Sequence, residues 1–122
     1  MIQPTSNRVF LFLTPSDMRK SYDTLAALVT QAGMNPLSGD LFVFTNRPRN
    51  RFKILLWETG GYWLCSKRLE AGIFAVPFVS SSDEGQEYTL EINMTELRLL
   101  IEGIELRNVK KTKRFALGNL HA

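Results

Sequence analysis

Apolar and polar positions change their spacing along this chain, and each change marks an element. Arg8-Val-Phe-Leu-Phe-Leu13 is a short aromatic and aliphatic run ended by Thr-Pro, which reads as a first strand. Thr14-Pro15-Ser16-Asp17 then offers a helix start, with Thr14 as cap, Pro15 at the first helical position and Asp17 completing an acidic capping box. Met18, Tyr22, Leu25, Val29 and Ala32 follow in steps of four and three, and Gly33 supplies a stop. This spacing predicts a helix over about 16–32. Leu41-Phe-Val-Phe44 is apolar on both alternating faces, as a central strand covered on both sides requires. The polar loop Asn46–Arg51 leads into Phe52–Trp57 as the returning strand, and Thr59-Gly60-Gly61 turns tightly into a third, Tyr62–Leu69. Ala71-Gly72 turns into Ile73–Val76, stopped by Pro77; Ser80–Gln86 reads as a solvated loop and Tyr88–Ile92 as a short strand. Asn93 and Glu96 form a second capping-box start, with Met94, Leu97, Ile101 and Ile104 on one face and Gly103 near the end. The order of elements predicts an α+β fold, a mostly antiparallel sheet of about five strands with two helices packed against it. Residues 1–106 form one domain in this reading, and residues 107–122 a basic tail.

Composition narrows the chemistry. The chain has 122 residues, one cysteine and one histidine, His121, which excludes an internal disulfide framework, a His-rich metal site and a Ser-His-Asp triad. No apolar run approaches the roughly 20 residues of a membrane span, and Met1–Thr5 lacks a charged signal start, so a cytoplasmic protein without membrane contact is expected. The net charge of +3 conceals an uneven distribution. Residues 1–82 hold nine bases and five acids, residues 83–105 seven acids and Arg98, and residues 106–122 five bases and no acid. Local sign steers a partner more than the total does.

The densest cationic feature is Arg47-Pro48-Arg49-Asn50-Arg51-Phe52-Lys53, at a predicted hairpin tip. From Leu41 to Arg68 six bases face one acid, Glu58, interleaved with Phe52, Trp57, Tyr62 and Trp63, whose simplest role is core. Cations displace phosphate counterions, guanidinium forks reach base edges, and a two-stranded ribbon is narrow enough to enter the major groove, so a DNA partner is expected. Lys67 and Arg68 are adjacent in a strand, so only one of them can join the arginine surface. Arg19 and Lys20 open the first predicted helix, where a phosphate or a neighbouring aspartate, Asp17 or Asp23, would offset the macrodipole. Lys110, Lys111, Lys113 and Arg114 make the tail a candidate electrostatic arm. Cys65 reads as a packed core thiol. A metal nuclease would need carboxylates such as Asp17, Asp40 and Glu58 to converge, but Asp17 and Asp23 fall on opposed helical faces and no glycine-rich phosphate loop is present. No cofactor or metal is called for, and catalysis is not expected.

Five ordered blocks carry a resemblance: Asp17–Ala26, Pro36–Phe44, Arg51–Trp57, Lys67–Phe74 with Pro77, and Leu100–Gly103. Together they resemble the TnpB-type accessory protein, the second open reading frame product of the insertion-sequence family numbered sixty-six, over roughly residues 8–106. The resemblance implies a bacterial mobile element whose separate transposase carries the strand-transfer chemistry, with transposase and element-end DNA as partners. It carries over Arg51, Lys53, Lys67 and Arg68 as surface determinants and no catalytic residue. Ser21 and Thr24 stand where the family usually has glycine, and Asn50 where it has aspartate; Pro48 and the acidic loop Asp83–Glu87 are also atypical. Loss of a carboxylate at position 50 disfavours catalysis there and favours phosphate binding. Two alternatives stand beside a DNA-binding accessory protein: an adaptor that docks the transposase without touching DNA, and the nuclease.

Overall fold

The computed structural model describes residues 7–76 and 89–103. Its elements are β1 (Val9–Phe12), α1 (Tyr22–Gln31), β2 (Leu41–Thr45), β3 (Arg51–Glu58), β4 (Gly61–Arg68), β5 (Thr89–Ile92) and α2 (Met94–Glu102). The five strands form one sheet in the order β4-β3-β2-β1-β5. β1 and β2 are parallel, linked through α1; every other neighbouring pair is antiparallel. The fold is α+β, as the element order predicts.

Strand alternation sends successive side chains to opposite faces, and the sheet is covered on both. On one face Phe12, Phe42, Phe44 and Leu55 pack with Leu25 and Val29 of α1. On the other, Leu11, Val43, Phe52 and Leu56 pack with Phe74 and with Leu97 and Leu100 of α2. β2 lies at the centre and all five of its residues are buried, which is why its sequence is apolar without alternation. Phe12 and Phe44 stack with ring centroids 4.5 Å apart, and Phe42 meets the edge of Phe12.

α2 starts as its sequence requires. Asn93 accepts from the Glu96 N–H, and the Glu96 carboxylate accepts from the Asn93 N–H. Its buried stripe is Leu97 and Leu100 with Ile101 half-buried, while Met94 is exposed; Ile104 lies outside the described residues. Gly103 closes the helix at φ 76°, and a Cβ there would come within 2.7 Å of the Leu69 Cδ1.

Three expectations need correction. α1 begins at Tyr22, after an extended Ser21, and not near residue 16. The local cap signal is overridden because Ser16 N–H donates to the Thr45 carbonyl, while Asp17 accepts from the Arg19 N–H and holds residues 17–20 as a turn. Ile73–Val76 is not a strand: Phe74 N–H donates to the Arg49 carbonyl, and its ring lies buried 5.0 Å from that of Phe52. Cys65 and Trp63 are exposed rather than core, because β4 is the edge strand of the sheet.

Candidate nucleic-acid interface

The loop between β2 and β3 is built on Asn46. Its side-chain oxygen accepts from the N–H groups of Asn50 and Arg51, and its amide nitrogen donates to the Asn50 side chain at 2.7 Å. Arg49 takes the left-handed conformation, φ 61°, at this turn. The tip is not a projecting ribbon. Leu69 N–H donates to the Asn50 carbonyl, Phe74 N–H to the Arg49 carbonyl, and the Arg49 guanidinium to the Val76 carbonyl at 3.1 Å. Residues 69–76 therefore lie across it, and the geometry offers no free ribbon to a major groove.

The cations divide by what they hold. Lys53 donates to the Lys20 carbonyl at 2.7 Å and pins the segment before α1 to the sheet. Lys67 donates to the Ile101 carbonyl at 2.8 Å, near the negative end of α2. Arg49 secures the turn. Arg19 forms a doubly bonded pair with Asp17, within the turn that precedes α1 and not inside the helix. This guanidinium, with the Arg19 N–H second, lowers the Asp17 carboxyl to about 2. Arg8 likewise pairs with Glu91 and lies 5.0 Å from the Phe10 ring centroid, joining β1 to β5.

Arg47, Arg51 and Lys20 are different: their side chains make no hydrogen bond or ion pair with any described residue. Among the described residues Arg68 is held only by Glu70, an exposed pair at 2.9 Å. Strand register places Arg68 directly opposite Arg51 on the α1 face, while Lys67 faces Phe52 and α2. The connection between β3 and β4 is a two-residue turn, Thr59 φ 46° and Gly60 φ 84°, so Glu58 and Gly61 close it as a hydrogen-bonded pair. Counting outward, Arg51 and Arg68 form a non-hydrogen-bonded pair, the kind whose side chains lie closer together. Two arginines thus stand opposite one another at the edge of the sheet. Like charges directly opposite one another destabilise a sheet.

Two adjoining depressions meet there. One, of about 270 Å³, is lined by Met18, Arg51, Lys53, Ser66 and Arg68 among others; the second, about 470 Å³, by Ser16, Asp17, Met18, Asn46, Arg47 and Arg51. Met18, expected on a helix face, instead borders both from the turn before α1. Nothing local in the sequence signals that placement; Asn46, as the first residue of a turn, does carry a signal. Lys110, Lys111, Lys113 and Arg114 lie outside the described residues.

The acids of the nuclease alternative have other engagements. Asp17 holds Arg19, Asp40 accepts from the Arg8 N–H and the Ser38 hydroxyl, and Glu58 accepts from the Trp63 indole at 3.0 Å. Among the described residues no three of His, Cys, Asp and Glu form a group able to hold a metal ion. No described helix is long and apolar enough to cross a membrane.

The blocks bearing this face also decide its kinship, because the family described as IS66 Orf2 like protein matches residues 7–111. The chain belongs to that family. Membership confirms the resemblance read from the five blocks and implies an accessory role in transposition of this class of insertion sequence. Two relatives from Sinorhizobium fredii (strain NBRC 101917 / NGR234) share most of its length. The uncharacterized protein y4jC is 32% identical over 113 residues, covering 91% of this chain and 92% of its own. The uncharacterized protein y4hO is 34% identical over 108 residues, covering 88% and 89%. No solved structure matches the chain.

Proposed function

We propose that this IS66 Orf2 family member is a non-enzymatic, cytoplasmic accessory protein that binds the phosphate backbone of element-end DNA through the face around Arg47, Arg51 and Arg68. The observation that carries this reading is the cross-strand pair of arginines, with Arg47 beside it and, among the described residues, a single exposed carboxylate, Glu70, paired with Arg68. A sheet that keeps like charges opposed forgoes stability that an anionic ligand restores. The covered hairpin tip favours contacts to phosphates, which position a protein, over base edges in a groove, which specify sequence. Binding of this kind is strongly salt-dependent and weakly dependent on sequence. The same cations also suit an acidic surface on the transposase.

The test is fluorescence anisotropy with a labelled terminal-repeat duplex and a shuffled duplex across a salt series. Similar affinities for the two are expected. Arg51→Gln with Arg68→Gln should weaken both and reduce the salt slope by about 1.8, roughly 0.9 for each lost phosphate contact. An unchanged slope removes these residues from the contact surface. Co-purification with transposase, without duplex retardation at low salt, would favour the adaptor reading instead.

A further inference from the structure

The outer edge of β4 carries an inference independent of nucleic-acid binding. Among the described residues β4 is an eight-residue edge strand, paired to β3 without interruption from Arg68 to Gly61. The closing pair of the hairpin determines which way its backbone groups point. Gly61, Trp63, Cys65 and Lys67 bond inward to β3, so Tyr62, Leu64, Ser66 and Arg68 direct their N–H and C=O groups outward. Natural edges are usually blunted by proline, bulges or inward charges. Here Gly61–Ser66 contains none of these and is uncharged throughout. The opposite edge, β5, has four residues.

We infer that β4 pairs with β4 of a second copy, antiparallel and about a two-fold axis at Cys65, to make a ten-stranded sheet. The register follows from the edge itself. A two-fold perpendicular to the sheet keeps each face on its own side and must pair outward-bonding residues with one another. Centred on Cys65, Tyr62 meets the partner's Arg68 and Leu64 meets the partner's Ser66, so all four outward residues find partners. Moving the axis by one residue in either direction leaves one of the four beside a turn or beyond the strand. Charge agrees with this choice. Arg68 faces an aromatic ring, Lys67 lies opposite the partner's Trp63, and no cation opposes a cation. Trp63, exposed at 47%, and exposed Cys65 gain cover. The axis also keeps both Arg51–Arg68 pairs on one side of the sheet, the two Arg68 positions about 20 Å apart along the strands.

The experiment is sedimentation of the full chain in reducing buffer, from low to high micromolar concentration. A monomer–dimer equilibrium is expected. Ser66→Pro removes an outward N–H without touching the β3 ladder and should abolish the dimer with the far-ultraviolet circular dichroism retained. Cys65→Lys places like charges on the axis at an exposed position and should weaken association at least about tenfold; it decides the matter should Ser66→Pro not fold. Oxidation by copper-phenanthroline should link two chains through their single cysteines. A wild-type chain that stays monomeric, or a dimer indifferent to Cys65→Lys, overturns the inference. So does a dimer that resists disulfide linkage, because Cys65 would then not lie at the axis.

Discussion

Replacing Arg51 by glutamine should make this protein more stable while weakening its hold on nucleic acid. The cross-strand register sets Arg51 against Arg68 in the closer type of antiparallel pair, with exposed Glu70 alone among the described residues engaging either guanidinium. Two unit charges about 6 Å apart in an aqueous dielectric repel by about 0.7 kcal/mol. Like-charged pairs directly opposed cost about 0.2–1 kcal/mol, in the same range. Arg51→Gln removes this term while keeping an extended polar side chain at an exposed position. Urea denaturation at low ionic strength should show the midpoint rising by about 0.2–0.7 M, for m values of about 1–3 kcal/mol/M. At 1 M NaCl the Debye length falls to about 3 Å and the gain should vanish. A variant less stable than wild type at low salt, or a gain that survives 1 M NaCl, would refute the electrostatic reasoning and make Arg51 a packing residue.

Asn46→Ala removes three hydrogen bonds from the turn and should cost about 1–3 kcal/mol in urea, with most binding affinity retained in the folded protein. Lys67→Met should cost about 1 kcal/mol by freeing the end of α2, yet change the salt slope of DNA binding less than Arg51→Gln does. The Asp17 carboxyl should titrate near 2 in a carbon-detected NMR experiment and move toward the ordinary carboxylate range in Arg19→Ala. Because its folded value is depressed, the stability this exposed pair contributes is present above the unfolded carboxyl value and lost as pH falls toward 2. A wild-type value near 4 would mean that the pair does not persist in solution.

Legibility of the fold followed the range of the forces involved. The continuous apolar run of β2, the Asn93–Glu96 capping box and the Thr59–Gly60 turn are local, and each stands where sequence pattern places it. The start of α1 does not, because two bonds over long sequence separations compete with a good local cap. Ser16 N–H goes to Thr45, and the Lys20 carbonyl is taken by Lys53. No window around residues 14–20 contains that information. The cationic surface divides in the same way. Composition showed where the arginines and lysines gather, but Lys53, Lys67 and Arg49 reach backbone carbonyls 27 to 34 residues away. Only the assembled sheet distinguishes these from Arg47, Arg51 and Arg68. The exposure of Trp63 and Cys65 is illegible for a related reason, since strand composition does not tell an edge from a centre.

The central claim is that nucleic acid meets this protein on the α1 face of the β3–β4 hairpin. Its most direct test is titration of the isotope-labelled full chain with a terminal-repeat duplex, followed by backbone amide shifts. The account predicts that Met18, Arg47, Arg51 and residues 66–68 shift together and saturate with one affinity, weakening in step as salt is raised. Shifts confined to residues 104–122, or to α2, with the hairpin amides unmoved, would contradict it.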